Sequence, residues 1–483
     1  MASPASTAGR RPWLAAFAAI NALAAGGGAV SLILGLASFG EVIDDRLPFK
    51  SLVLAGFALG VLVALPLTVL AWAAWTASSR TDVVALMVGA LLIGWIVMQV
   101  VVLRAYSPFQ PIYLAVGVSL VVASHRARLS TVQRGLLAVP VGAVAIAVGV
   151  GLLPHLVKTG LAAKSVVSVL LLLIGIAAVV LGVGWVVRGR RLIGRIATVL
   201  AALLTVAVTA SIVAPAVAVT NVPRAEVVAT PASRGLAFES ATLTTSDEVQ
   251  LAAWFVRGTN RAGVVLLHGA GSTRSAVLDH AAALVDGGYS VVLVDARGHG
   301  DSGGVAMDFG WYGDLDVVAA TDFLAGQTGI DASRIGVVGM SMGGEEAIGA
   351  AAADSRIRAV VAEGATARSA ADKAWLSDAY GWRGWVQEQL ERVQDQVTGY
   401  LSTASPPTAL RDSVADASDA HFLLITAGNV DDEGRAAQHI RAAAEDRVTV
   451  WTIEGVGHTG GYEADGEEWQ RRVVEFLDEH LLG

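Results

Sequence analysis

The chain has 483 residues, of which 54% are hydrophobic and only 16% are charged, and it contains no cysteine. Soluble globular proteins carry about 25% charged residues, so this composition argues against a chain that is soluble throughout. The lack of cysteine excludes disulfides, thiol nucleophiles and cysteine-ligated metal centres.

The two halves of the chain carry opposite charge. Residues 1–222 contain 15 Lys and Arg against 4 Asp and Glu, a net charge of +11, whereas residues 223–483 contain 19 against 38, a net charge of −19. Nucleic acid binds basic surfaces, so the acidic half is a poor candidate for it and no nucleic-acid partner is expected. The opposite net charges predict that residues 1–222 and 223–483 form two separate regions in different surroundings.

Long apolar runs fill the first half. A helix needs about 20 apolar residues to cross a hydrocarbon core of about 30 Å. The sequence therefore predicts a multi-pass transmembrane region over residues 1–222 with about seven spans, embedded in the lipid bilayer of the cell membrane. The run that begins at Pro108 is marginal, because two prolines stand at its start. The seven runs are 13–37, 51–76, 83–103, 108–124, 135–157, 161–187 and 196–220.

Basic residues in the short loops set the orientation. With the N-terminus in the cytoplasm, ten Lys and Arg lie inside and five outside, as the positive-inside rule favours. The cluster from Arg188 to Arg195 is the strongest contribution. Seven spans then place the second half on the extracytoplasmic side, and the side is reversed if 108–124 does not cross.

Few polar side chains interrupt these runs. Asn21 and Gln99 are the notable ones, and intramembrane charges of the kind that mark ion pathways are scarce. Polar packing between helices explains the two amides, with glycine and alanine allowing close approach. The membrane region is interpreted as an anchor or assembly module.

A second domain follows a short linker, 223–236, and covers 237–483. Strand-like and helical segments alternate in it, which predicts a doubly wound, mostly parallel α/β sheet with its site at the carboxyl ends of the strands. A helical stretch, 364–420, interrupts the alternation and contains Trp375, Trp382 and Trp385. Strands are expected at 238–245, 249–256, 263–267, 290–295, 335–338, 358–362, 421–426 and 448–453.

Ser341 is the candidate nucleophile. It lies in Gly339-Met340-Ser341-Met342-Gly343, between a predicted strand and a predicted helix. A serine hydroxyl becomes nucleophilic when a sharp strand-to-helix turn exposes it beside a base. The same Gly-x-Ser-x-Gly pattern also occurs at Ser302, but no helix follows directly, and Ser302 is interpreted as a turn residue.

Glycines after another strand predict a site for a developing oxyanion. His268-Gly269-Ala270-Gly271-Ser272 follows the strand 263–267, and its backbone can direct an N–H group toward the reacting oxygen. The N–H groups of Ala270 and Met342 are the candidate pair. His268 itself is interpreted as structural.

An acid and a base are expected at the ends of the last two strands. His458, flanked by glycine in a loop, is the candidate general base. Asp431 is the candidate acid that orients it, with Asp432 as the alternative. All three acids of this segment, Asp431, Asp432 and Glu433, also fit a helix N-cap and an acidic first turn.

No group of His, Asp and Glu residues in the sequence has the spacing of metal ligands. No glycine-rich loop is followed by the lysine that would indicate binding of a nucleotide phosphate. Neither a metal nor another cofactor is therefore expected. His299, in a Gly298–Gly303 turn, is interpreted as structural.

These motifs, taken in order, resemble the α/β-hydrolase family over about 235–483. The residues that carry the resemblance are His268-Gly269, the Gly298–Gly303 turn, Ser341, and Asp431 followed by His458. The resemblance implies an eight-stranded sheet, a Ser-His-Asp triad and a cap inserted after the sixth strand. Among its branches, the chain is most similar to the dienelactone-hydrolase, acyl-peptidase and monoacylglycerol-lipase-like enzymes.

Two functional hypotheses follow. The first is a membrane-anchored serine hydrolase that cleaves an ester, thioester or amide of a small-molecule, acyl or peptidyl substrate through an acyl-enzyme. The alternative is a catalytically idle hydrolase-like domain that senses or binds a ligand for a functional membrane module. The helical insert is expected to form a lid or to pack as plain amphipathic helices, and the oligomeric state stays open.

Overall fold

The computed structural model describes residues 10–37, 51–98, 113, 116–121, 124, 130–304, 308–402 and 404–483. By its internal contacts the chain divides into two compact units. One comprises residues 1–140 and 178–202, and the other comprises 141–177 and 203–483. The domain boundaries at 222 and 236 remain a prediction.

Long apolar helices fill the first part of the chain. Among the described residues, five helical stretches are long and apolar enough to cross a membrane, and the helix that begins at Thr81 has a shorter apolar part, Thr81–Ile96. The five stretches are Pro12–Ile33, Leu52–Trp75 (counted as one), Thr131–Val157, Ala163–Val187 and Leu192–Val219. The predicted run 108–124 lies largely outside the described residues, as does Gln99, so seven spans are not confirmed. The helices are α1 Pro12–Ile33, α2 Leu52–Leu59, α3 Leu65–Trp75, α4 Thr81–Met98, α5 Thr131–Thr159, α6 Ala163–Val187 and α7 Leu192–Val219, with a π-helical turn, Gly60–Ala64, joining α2 to α3.

Small residues let α5 and α6 approach closely. A Cβ atom at Gly149 would lie 2.8 Å from Leu172 Cγ, a distance that side chains do not tolerate. At the same level, Ser168 Oγ donates a hydrogen bond to the Gly149 carbonyl at 2.7 Å. Without a hydrophobic driving force inside a bilayer, such close contacts and interhelical hydrogen bonds stabilise helix pairs.

The N-terminal ends of α1 and α4 lie together. Arg11 Nη1 is 2.6 Å from Asp82 Oδ1, and the Arg11 N–H donates to the Ala74 carbonyl at the end of α3. The start of α1, the end of α3 and the start of α4 therefore lie at the same end of this helix group.

Eight strands form one sheet in the order β1-β2-β4-β3-β5-β6-β7-β8. β1 pairs antiparallel with β2 and β2 with β4, and the remaining pairs are parallel. This is the mostly parallel eight-stranded sheet that the resemblance implied. The strands are β1 Glu239–Thr244, β2 Gln250–Val256, β3 Gly263–Leu267, β4 Ser290–Val294, β5 Ile335–Met340, β6 Ile357–Glu363, β7 His421–Ala427 and β8 Val448–Ile453.

Helices cover both faces of the sheet. Alternate residues of β3 belong to separate cores, with Val265 and Leu267 in one and Val264 and Leu266 in the other. Central parallel strands buried on both faces read as unbroken apolar runs, which explains their sequences. The helices are α8 Leu278–Asp286, α9 Gly313–Ala325, α10 Met342–Ala353, α11 Leu376–Tyr380, α12 Trp382–Leu401, α13 Leu410–Asp416, α14 Asp431–Arg441, α15 Gly461–Ala464 and α16 Gly466–Leu477.

The helical insert and the linker both have defined places. Helices α11, α12 and α13 lie between β6 and β7 in the chain, as the sequence predicted for the insert. In the linker, the Arg224 guanidinium donates to the carbonyls of Ser302 and Gly304, and Ser275 Oγ donates to the Ala229 carbonyl at 2.7 Å. The linker thus packs along the hydrolase-like domain.

Candidate active site

Ser341 occupies a sharp turn between β5 and α10. Its φ is +52° and its ψ −120°, a backbone conformation that L-residues rarely adopt. A Cβ at Gly343 would lie 2.7 Å from the His268 carbonyl oxygen, so the residue after Met342 has to be glycine. This strained turn, at the N-terminus of α10, is the geometry that exposes a nucleophilic serine.

A continuous chain of hydrogen bonds starts at this serine. Ser341 Oγ lies 2.9 Å from His458 Nε2, and His458 Nδ1 lies 2.6 Å from Glu433 Oε1. The imidazole is half-exposed, at 49%, whereas the Glu433 side chain is 1% exposed. An accessible hydroxyl, an imidazole and a buried carboxylate therefore meet at the carboxyl edge of the sheet.

The acid in this arrangement is Glu433, which corrects the sequence prediction of Asp431 with Asp432 as the alternative. Asp431 and Asp432 are exposed, and Asp432 accepts a hydrogen bond from the Tyr380 hydroxyl of the insert at 2.6 Å. Glu433 lies on the buried face of α14 with Ala436 and Ile440. Its longer side chain reaches from this face to the imidazole.

Carboxylates around His458 favour its protonated form. The hydrogen bond with Glu433 is the main reason that the pKa of His458 is raised, and burial opposes it. The charges of Glu345 and Glu363 raise the pKa of His458 further. Glu345 is itself buried in the first turn of α10, and burial raises its pKa to about 7. The site is therefore organised to stabilise an imidazolium ion.

The predicted oxyanion loop lies against Ser341. A Cβ at Gly269 would be 3.4 Å from Ser341 Cβ. Met342 is the first residue of α10, where a backbone N–H has no acceptor within the helix. In the described part of the chain, neither this N–H nor that of Ala270 donates to another residue. Both groups remain the predicted oxyanion donors.

Two buried histidines hold this loop. His299 Nε2 accepts a hydrogen bond from the Gly271 N–H at 3.0 Å, and the His268 and His299 rings lie 5.0 Å apart. His268 Nδ1 lies 2.8 Å from the Gly269 carbonyl oxygen, and its Nε2 accepts from the Ala296 N–H. Burial lowers the pKa of His268 to about 4, so its ring stays neutral. The interpretation of both histidines as structural agrees with these contacts.

The second serine motif forms a turn. Ser302 is buried, and its Oγ donates to the Asp295 carbonyl at 2.5 Å while accepting from the Ala252 N–H at 2.8 Å. A hydroxyl committed to two backbone groups is not presented to a substrate. Ser302 therefore stabilises the junction of β2 with the loop after β4, as the sequence predicted.

Gly364, which no sequence motif indicated, packs against the ring of His458. Gly364 follows β6 with φ +72°, and a Cβ there would lie 2.8 Å from His458 Cε1 and 3.0 Å from His458 Nδ1. A glycine close behind the predicted strand 358–362, which ends at the same edge of the sheet as the site, is the signal that could have identified it. Its missing side chain makes room for the base.

The insert adjoins the acid loop. A cavity of about 820 Å³ is lined by Trp375 and Ala379 of the insert and by Ala427 and Asp431 of the β7–α14 connection. Trp382 and Trp385, on α12, are 74% and 57% exposed. Trp375 alone of the three tryptophans lines this cavity, and a lid role for the insert remains a prediction.

Glu433 and Glu345, two acids that raise the pKa of His458, both accept hydrogen bonds from backbone N–H groups. Glu433 Oε2 accepts from the Ala427 N–H at 2.8 Å, and Glu345 Oε1 accepts from the N–H groups of Thr366 and Ala367. Within the described ranges, no three His, Asp or Glu side chains gather as metal ligands.

The sheet order, the serine turn and the histidine–carboxylate pair define an α/β-hydrolase domain. Residues 258–416 match the family model of the serine aminopeptidases S33. This match supports a hydrolase enzyme.

Individual relatives extend the comparison. The chain is 33% identical over 124 residues to an uncharacterised protein of Mycobacterium tuberculosis, covering 25% of this chain and 42% of that protein. It is 34% identical over 110 residues to the thiohydrolase aneE of Aspergillus aculeatus, covering 21% of this chain and 33% of that protein. The alignments thus span less than half of these relatives.

The comparison with solved structures gives a similar protein for about half of the chain. The esterase of Pyrococcus furiosus is 25% identical, with a TM-score of 0.45, and the match covers 54% of this chain and 98% of the esterase.

Proposed function

We propose that this protein is a membrane-anchored serine hydrolase that cleaves an ester, thioester or amide bond of a small acyl or peptidyl substrate. The observation that carries the proposal is the hydrogen-bond chain from Ser341 Oγ through His458 to Glu433. A serine, a histidine and a buried acid in this order form the arrangement that activates a hydroxyl for acyl transfer.

In the proposed reaction, His458 Nε2 takes the proton of Ser341 as Oγ attacks the acyl carbon. Negative charge develops on the carbonyl oxygen, and in this proposal the N–H groups of Ala270 and Met342 donate to it. The bond to the leaving group then breaks, and His458 returns the proton to the departing atom. Water, deprotonated by the same imidazole, cleaves the acyl-enzyme and releases the acid.

Glu433 acts on the imidazole rather than on the substrate. Its Oε1 accepts the Nδ1–H of His458, which leaves Nε2 as the proton acceptor facing Ser341. The negative charge then stabilises the imidazolium that forms during attack. A glutamate supplies the same carboxylate as the aspartate that the resemblance implied.

The chemistry of an activated serine and the names of similar proteins support the proposed substrate class. An activated serine attacks esters, thioesters and amides by one route, and the relatives include proteins named as a thiohydrolase, an esterase and serine aminopeptidases. The Ser341 hydroxyl lies within hydrogen-bonding distance of the His458 imidazole, which argues against the alternative of a catalytically inactive, ligand-sensing domain.

Turnover of p-nitrophenyl esters by the purified full-length protein tests the proposal. Ser341→Ala should lower kcat/KM by about 10⁴-fold or more, because the acyl-enzyme cannot form. Ser302→Ala removes a buried turn hydroxyl and serves as the matched control, with turnover retained in the folded protein. Equal turnover by wild type and Ser341→Ala would contradict the proposal, as would no turnover of any ester, thioester or aminoacyl substrate.

The proposed membrane anchoring rests on the five long apolar helices, and the extracytoplasmic side rests on the basic loops. Because the natural chain has no cysteine, single cysteines can report the side without background. A membrane-impermeant maleimide on intact cells should label Glu445→Cys in the hydrolase domain but not Ser79→Cys in the loop between α3 and α4. The opposite labelling pattern would place the domain in the cytoplasm.

A further inference from the structure

Glu363, the last residue of β6, accepts hydrogen bonds from the backbone of Ser341 and from the segment that follows His458. Its main-chain oxygen accepts the N–H of Ser341 at 2.7 Å. That bond fixes the strained turn of the nucleophile to the end of β6. The next residue, Gly364, provides the surface on which the His458 ring rests.

The Glu363 side chain reaches the segment that follows the histidine. Its Oε1 accepts the N–H of Gly461 at 2.8 Å, and its Oε2 accepts the Nε1–H of Trp469 at 2.9 Å. Both donors come after His458 in the chain, in α15 and α16. The carboxylate therefore ties the segment after His458 to the end of β6, where the main-chain oxygen of the same residue accepts the Ser341 N–H.

This carboxylate is buried with little to neutralise it. Glu363 is 3% exposed, and among the described residues no Lys or Arg forms an ion pair with it. Burial, with the charge of Glu433, raises the pKa of Glu363 above its ordinary value, and the two N–H donors and His458 limit that rise. Because both oxygens accept N–H groups, the arrangement suits the ionised form. A buried negative charge beside the base favours an imidazolium.

Resting on the proposed serine-hydrolase function, we propose that Glu363 is a positioning residue for the reaction. Its carboxylate holds the histidine loop in register with Ser341, and its charge stabilises the imidazolium formed when the proton moves from Ser341 Oγ to His458 Nε2. Three acidic side chains raise the pKa of the base, namely Glu433 from α14, Glu345 from α10 and Glu363 from β6, and of these Glu433 contacts its ring. Glu433 orients the ring, and Glu363 holds the loop that carries it.

Glu363→Gln tests both parts in the full-length enzyme. Glutamine keeps the volume, but its single carbonyl oxygen serves only one donor, and its amide faces the other. We expect kcat to fall about 10- to 100-fold with KM nearly unchanged, since one buried donor loses its acceptor. The rising limb of the pH profile of kcat/KM should move to lower pH because a negative charge near His458 is lost.

Two further variants keep the test decisive. Glu363→Asp keeps the charge but shortens the reach, so kcat should fall while the pH limb stays close to that of the wild type. Glu388→Gln is the matched control, because Glu388 is a buried carboxylate of the insert that accepts the Ser377 N–H at 2.7 Å. It should change neither kcat nor the pH limb.

The outcomes separate this inference from the proposed function. If wild type turns over substrate and Glu363→Gln has the same kcat and pH limb, the positioning role is wrong. If Glu363→Gln has a lower kcat but the rising limb of its kcat/KM pH profile stays in place, Glu363 only stabilises the fold, and the inference is also wrong. Failure of the wild type to hydrolyse any substrate would instead contradict the proposed function itself.

Discussion

The Nδ1 atom of His458 lies 2.6 Å from Oε1 of Glu433, and the other oxygen of Glu433 accepts the N–H of Ala427 at 2.8 Å. Ala427 is the last residue of β7, so the glutamate links the imidazole to the rigid sheet. A buried carboxylate with both oxygens engaged cannot turn away from its histidine without leaving a buried donor unpaired. This relationship determines the tautomer of the proposed base.

Replacement of this acid should separate it from its acidic neighbours. In Glu433→Gln the amide cannot accept from both His458 Nδ1–H and Ala427 N–H, so the imidazole loses its productive tautomer. We expect kcat/KM to fall about 10³- to 10⁴-fold, measured by ester turnover. Asp431→Asn and Asp432→Asn, at exposed positions of the same turn, should stay within about threefold of wild type. A large loss in either aspartate variant with activity retained in Glu433→Gln would restore the aspartate as the acid.

The pH dependence of the wild type follows from the raised pKa of His458. Only the neutral imidazole takes the serine proton, so kcat/KM should rise with pH and level off once the ring is deprotonated. Because Glu433 raises the pKa of His458, the midpoint should lie above the ordinary value of 6.5. Steady-state rates from pH 5 to 9 measure it. A midpoint below 6.5 would mean that the carboxylates do not act on this histidine in solution.

The space under the imidazole gives a steric prediction. Gly364→Ala places a Cβ 2.8 Å from His458 Cε1, which pushes the ring away from Ser341. A displacement of about 1 Å costs on the order of 10²-fold in rate, so kcat should fall by that factor. Gly235→Ala is the control for backbone strain, because Gly235 has φ +73° with nothing within 4 Å of its added Cβ. Similar kcat values for the two variants would show that the contact with His458 does not matter.

Much of the hydrolase domain was predictable because its signals are local. The unbroken apolar runs of β3 and β4 indicated buried parallel strands, and the strand-turn-helix context selected Ser341 over Ser302. The positions of Ser341 and His458 at one sheet edge follow from parallel strands ending on the same side. These inferences require only periodicity and chain order.

The sequence did not select Glu433 as the partner of His458, because three carboxylates stand in a row at the start of α14. Preference for an aspartate at the strand end favoured Asp431, but helical periodicity carries the better signal. Glu433 shares the buried face with Ala436 and Ile440, whereas Asp432 points to Tyr380 of the insert. A charged residue on an otherwise apolar, buried helix face indicates a hydrogen-bonding partner for its charge, here the imidazole of His458.

Other contacts could not be predicted because they join distant segments. The bond from Glu363 to Trp469 depends on how α16 packs beside β6, and the bond from Tyr380 to Asp432 depends on the placement of the insert. Periodicity predicts each element but not the side chains that meet between them. The membrane region is similar, because hydropathy indicates spans while their number depends on the run 108–124.

The central claim is that Ser341 is a nucleophile activated by His458, and covalent labelling tests it most directly. The full-length protein would be treated with a fluorophosphonate probe, which reacts with activated serines, and the modified peptide identified by mass spectrometry. We predict one equivalent of probe on Ser341, with labelling lost in Ser341→Ala and strongly slowed in His458→Ala. Labelling at another serine, or labelling of Ser341 that is indifferent to the loss of His458, would contradict the account.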